Sequence, residues 1–168
     1  MDALDAAAVE AVIEKGIRRP IRLLLGARCY PAALVLIYSG MDTMAFLNMP
    51  PERTDVMRSD FIAWADEYMR ISLPDPPRGC DLYGTRCSIL HGGAPSRFTR
   101  EGRGRLLRHP EMPCNGSDVS VPDLADAFFA AIDRFFARLA ADPLKAAAAN
   151  RRLEELRAAG PYDTGLRL

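Results

Sequence analysis

The chain has no surplus of charge of either sign: 22 lysines and arginines stand against 22 aspartates and glutamates in 168 residues. Nucleic-acid binding would therefore need local positive charge, since no overall field is present to attract a polyanion. Lysine is nearly missing. Lys15 and Lys145 are its two occurrences, so arginine supplies the other 20 basic positions. Together with the abundant alanine, that skew reads as a GC-rich coding bias more than as function, although arginine is also the better fork for phosphate. The four cysteines, Cys29, Cys80, Cys87 and Cys114, form no CxxC pair, and the N-terminal stretch MDALDAAAVEAVIEKG is acidic and amphipathic, unlike a signal peptide. A reduced, cytoplasmic protein is expected. The longest apolar run, AALVLIY at 32–38, is far shorter than the roughly 20 residues that span a bilayer and is closed off by Asp42, so no membrane segment is expected. A Gly-rich phosphate loop, a nucleophilic serine motif and a dinucleotide fingerprint are all missing.

What is present is helical periodicity. At 49% apolar and 26% charged residues the composition is that of a globular chain, long enough to bury a core without metal or disulfide. Leu4, Ala8, Val12 and Ile13 share one side of a helix from Asp2 to about Gly26, which Pro20 should kink or divide. A second helix runs from Pro31 to Asn48 and is ended by Pro50-Pro51. A third, capped by Thr54 or Asp55, carries Phe61, Trp64, Ala65, Tyr68 and Met69 as a core stripe. The loop SLPDPPRG at 72–79 leads into a fourth at 80–93, and two more cover Pro122 to Ala140 and Pro143 to about Arg157. Between them, SRFTREGRGRLLRH suits a short helix, while RLLRH and DVSV suit a hairpin near residues 105–121; the hairpin is preferred. The expected fold is an all-α antiparallel helical bundle of five to six helices, one domain over 1–160, with a flexible tail at 161–168.

Chemistry concentrates in CDLYGTRCSILHGG at 80–93. Leu82, Tyr83, Ile89 and Leu90 recur as one helical face, and Arg86 projects into the middle of it. An arginine there is either paired with a buried acid or carries chemistry. Asp42 is its natural partner, because it lies between Tyr38, Ala45 and Phe46 on the apolar side of the second helix, where a lone carboxylate is costly. His91 belongs at a helix C-terminus, where the dipole favours an imidazole. Cys87 and His91, at i and i+4, suit two metal ligands, with Cys80, His109 and Cys114 as others, yet no pair has a tight loop spacing, so no metal and no cofactor are expected. Arg97, Arg100, Arg103, Arg105 and Arg108 follow within twelve residues. They form either a solvated charged loop or a surface that tracks an RNA backbone.

Arginine, four intervening residues and histidine (Arg86 and His91) resembles the signature of the HEPN superfamily, helical bundles of which many are metal-independent ribonucleases. Arginine is common enough here to make such hits by chance once neighbouring spacings are allowed, and Arg103 with His109, five residues between them, is a second one. LIYSGMDTMAFL followed by DLYGTRCSILH is similar to a group of bacterial HEPN-like proteins. The resemblance implies an endoribonuclease of toxin or defence type, with Arg86 and His91 catalytic, Asp42, Cys87 and Tyr83 supporting, and a 2′,3′-cyclic phosphate product. It also implies a homodimer, since Arg86 and His91 are about 140° apart on one helix and two motifs meet across the family's interface. An antitoxin protein is a further implied partner. Active members commonly carry a polar residue where this chain has Cys87, which keeps a second reading open: a catalytically inactive module that binds a protein, nucleotide or RNA.

Overall fold

Asp5 starts the first helix by accepting hydrogen bonds from the Ala7 and Ala8 amides at 2.8 and 3.2 Å, as a short carboxylate does at an N-cap. The computed structural model describes residues 4–74, 76–91, 103–105 and 118–160. α1 (Ala6–Val9) runs directly into a π-helical segment, Glu10–Arg18, and that into α2 (Arg19–Gly26). Pro20 lies in the first turn of α2 and divides the helix by widening it. Proline has no N–H for the carbonyl four residues back, and its ring crowds that carbonyl. The turn before it bonds five residues back instead, with the Arg19 amide donating to the Glu14 carbonyl.

α3 (Tyr30–Asn48) is the central helix and packs against α2, α4 (Arg58–Tyr68), α6 (Val121–Leu139) and α7 (Pro143–Ala159). Its length and hydropathy match those of a membrane span, and half of that apolar stretch is buried inside the protein. The aromatic stripe of α4 is core as expected, with Phe61, Trp64, Ala65, Tyr68 and Met69 all buried. Trp64 and Phe128 meet edge to face at 6.0 Å, and Tyr68 and Phe135 do so at 5.4 Å. The start of α4 differs from expectation. Its N-cap is Met57 rather than Thr54 or Asp55, because Asp60 reaches back to accept the Met57 amide at 2.7 Å while Arg53 holds the same carboxylate. Thr54 spends its hydroxyl on the Asp55 side chain.

Ser120 caps α6 and Asp142 caps α7, each accepting the amide three residues on. The expected hairpin is present as β1 (Arg103–Arg105) and β2 (Asp118–Ser120), antiparallel with Gly104 opposite Val119. It begins two residues before RLLRH, so that the residue without a side chain pairs with the buried Val119. Residues 106–117 and the tail at 161–168 lie outside the described residues. The architecture is an all-α bundle with this small ribbon beside it.

Arginines close two of the helices. Arg134 of α6 donates through Nε and Nη2 to the Tyr68 carbonyl at the end of α4, at 2.9 and 2.7 Å. Arg152 of α7, only 5% exposed, donates to the carbonyl of Leu47 in the last turn of α3 and to those of Met49, Pro50 and Arg53 beyond it. The last turn of a helix has no amide partners of its own for its carbonyls, and a buried guanidinium supplies several donors at once.

α5 (Gly79–His91) is brought close to α4 by its first residue. The Gly79 amide donates to Asp66 Oδ1 at 2.6 Å, and a methyl group added at Gly79 would run into the Ile62 carbonyl oxygen and lie 3.0 Å from Ile62 Cα. Backbone cannot swing aside as a side chain can. Gly79→Ala should therefore cost about 2 kcal/mol, as overpacking does, and lower the midpoint of thermal unfolding; an unchanged midpoint would mean that the two helices have slack between them.

Candidate phosphate-binding cleft

The buried stripe of α5 is Leu82, Thr85 and Ile89, joined by Asp81. This moves Arg86 from the middle of the apolar face, where periodicity placed it, to the edge. The reason is Thr85, a polar residue that is 1% exposed because its hydroxyl donates to its own helix at the Asp81 carbonyl, 2.9 Å away. Tyr83 and Leu90 are half-buried accordingly.

Arg86 pairs with Asp42 as expected, Nε to Oδ2 at 2.7 Å, bridging α5 and α3. The side chains retain 19% and 30% of their exposure, so the pair borders solvent instead of lying in the core. Burial pulls the Arg86 guanidinium down, but Asp42 and then Cys87 hold it up more strongly, and the net direction is upward. Because the pair is partly wet, Asp42→Ala should cost about 1 kcal/mol in a urea melt, near the value of a surface pair. The loss of about 3 kcal/mol typical of a stranded buried charge would show the pair to be far drier than its exposure indicates.

The carboxylate engages the guanidinium through Nε, and the pair lines a cleft of about 250 Å³ together with Met57, Arg58, Phe61 and Tyr83, with Val56 at the rim. Arg86 Nη1 is 4.0 Å from Cys87 Sγ. The Arg86 and Arg58 guanidinium carbons lie 5.5 and 5.4 Å from the centre of the Tyr83 ring, and Phe61 meets that ring edge to face at 5.5 Å. The Tyr83 phenol titrates above its ordinary value, first through burial and then through its hydrogen bond to and shared charge with Cys87, while the two arginines pull it back. At neutral pH it is a neutral ring that two cations approach.

Of the residues singled out from sequence, Asp42, Tyr83, Arg86 and Cys87 come together here. His91 is the last residue of α5, at the helix C-terminus as expected, and its side chain lies outside the description. Arg97, Arg100 and Arg108 fall outside the described residues, while the backbones of Arg103 and Arg105 form β1 opposite Ser120 and Asp118. Among the described residues Cys29, Cys80 and Cys87 are not joined in a disulfide, and no three His, Cys, Asp or Glu side chains converge as a metal site. Arg58 and Met57 escaped the sequence reading. The available signal was a cation in the first turn of a helix, where the dipole disfavours it. Comparison with known proteins yields no match to a family model, a curated protein or a solved structure.

Proposed function

We propose that this cleft binds a phosphodiester of RNA and that the protein is a metal-independent endoribonuclease of the HEPN type, working as a homodimer. The observation that carries the reading is the guanidinium of Arg86, held through Nε by Asp42 on the wall of an open cleft. A carboxylate that fixes one edge of the fork pre-organises the other for an oxyanion, so little reorganisation remains when charge develops on the phosphate. His91, five residues on in the same helix, is the proton carrier. The 2′-hydroxyl gives up its proton and attacks the adjacent phosphorus, the bond to the 5′-oxygen breaks, and that oxygen takes up a proton. A 2′,3′-cyclic phosphate and a 5′-hydroxyl end result. Pairing two copies through α5 brings two such motifs together, which one helix alone does not do. A toxin or defence role, with an antitoxin protein as the natural partner, belongs to the same proposal.

The test is incubation of the dimer with single-stranded RNA in EDTA, with the product ends identified chemically. Cleavage that persists in chelator and leaves cyclic phosphate ends supports the proposal; products only on addition of a divalent metal, or a chain that sediments as a monomer at every concentration, overturn it. A second reading, a non-catalytic binding module, is favoured by Met57 and Val56, which are 59% and 39% exposed at the rim and offer an apolar contact beside the cations. Tight RNA binding by a well-folded dimer with no cleavage across a broad RNA panel would select it.

A further inference from the structure

Val56 and Met57 are two of the five large apolar side chains exposed among the described residues, they are consecutive, and both line the cleft that holds Arg86. The fold does not ask for a methionine there. Met57 is the N-cap of α4, a position best served by the side-chain oxygen of serine, threonine, aspartate or asparagine, and it offers the Asp60 amide no more than a thioether, a weak acceptor. Burial does not explain it either, since Met57 keeps 59% of its exposure. Its apolar surface is held in water at a cleft that Phe61 and Tyr83 also line. Single exposed apolar residues are ordinary; a consecutive pair beside aromatic rings and a guanidinium marks a contact surface.

The size and chemistry of the cleft select the occupant. At about 250 Å³ it falls below the roughly 300–1,000 Å³ of pockets that enclose a drug-sized ligand, so it suits one flat ring system and not a stretch of peptide. Arg86, in the same lining, suits the phosphate to which such a ring is tethered. We infer that one unpaired base of the RNA strand packs against Val56 and Met57 while a neighbouring phosphate meets Arg86, with Met57 a substrate-binding residue. The inference rests on the reading of this cleft as an RNA site and adds what the strand must offer. A base inside a duplex has both faces covered, so the contact selects single strands.

The probes are two fluorescein-labelled strands of equal length and charge: a fully 2′-O-methylated single-stranded RNA, which is not cut because it has no free 2′-hydroxyl, and the same backbone with every base removed. Anisotropy is titrated with full-length wild type, Met57→Ser, Met57→Leu and Arg86→Met over a range of salt. Wild type should bind the base-bearing strand about tenfold more tightly, the scale of one base stacked on a side chain. Met57→Ser should remove most of that preference, keep the salt slope that phosphate contacts set, and melt no lower than wild type, because serine is the better cap. Met57→Leu keeps the apolar surface and should keep the preference. Arg86→Met should weaken both strands alike and flatten the slope by about 0.7, one phosphate contact on a single strand. If Met57→Ser keeps the wild-type preference, or if wild type binds both strands equally, no base is held here and the inference falls while the RNA reading stands. If wild type binds neither strand, the two fall together.

Discussion

His91→Ala should slow RNA cleavage by about 10²- to 10⁴-fold, the range in which a positioned imidazole contributes through proton transfer. The fold should tolerate the change, because His91 is the final residue of α5 and alanine keeps the helical backbone to its end. The pH profile separates a catalytic role from a structural one. If His91 moves the proton, the wild-type rate should have a pH-dependent limb that His91→Ala loses. Arg86→Lys adds a second arm to the test. It keeps the charge but not the fork, so cleavage should fall while binding of an uncleavable, fully 2′-O-methylated single-stranded RNA falls less. Wild-type rates in His91→Ala, with the melting temperature unchanged, would remove the chemistry assigned to this helix and leave the binding-module reading.

Arg152→Met should destabilise the fold by about 3 kcal/mol, although Arg152 belongs to no site. Its guanidinium is buried and donates to Met49 and Pro50 carbonyls at 2.5 and 2.6 Å, with Leu47 and Arg53 at 3.4 and 3.3 Å. Burial is also the leading cause that pulls its titration below the ordinary arginine range, so the charge is held at some cost in solvation. Methionine recovers that cost and much of the packing against Phe46, whose ring the guanidinium overlies at 5.5 Å. It cannot supply donors. The Leu47 and Met49 carbonyls, whose bonds to Arg152 are buried, would lose that donor, and each buried unsatisfied acceptor costs about 1–3 kcal/mol. Thermal unfolding should shift down by about 6–12 °C for a chain of this size, whereas the exposed neighbour Arg151→Met should stay within about 0.5 kcal/mol of wild type. Equal effects at the two positions would show that the carbonyls find water or other donors without Arg152.

The helices were legible because their signals are local. Pro31, Pro122 and Pro143 each fall in the first turn of a helix, where a missing amide costs nothing. The spacing of Phe61, Trp64, Ala65 and Tyr68 marks one face whatever lies opposite it. The Asp42–Arg86 pair was also readable, since an acid and a base each placed toward apolar neighbours have few ways to be satisfied except by one another. Two local readings misled. Thr54 and Asp55 have the chemistry of a cap, but Asp60 closes the turn from inside the helix, and Thr85 reads as polar although its hydroxyl is spent on its own backbone.

The sequence by itself determined where the chain is helical, which faces are apolar, and that α5 and α3 carry opposite charges that suit each other. Caps, prolines and a 3.6-residue period act within one or two turns, and no distant partner is needed to read them. Tertiary structure decided what each arginine does. Arg151 and Arg152 are adjacent and chemically identical, yet one is exposed and the other answers carbonyls about a hundred residues away. Arg58 and Arg86 are 28 positions apart, and both approach the Tyr83 ring because Gly79 lets α5 lie against α4. A long cationic side chain has no preference of its own between solvent, carbonyl and carboxylate; the choice is made by whichever unsatisfied acceptors the packing of the helices brings within its reach.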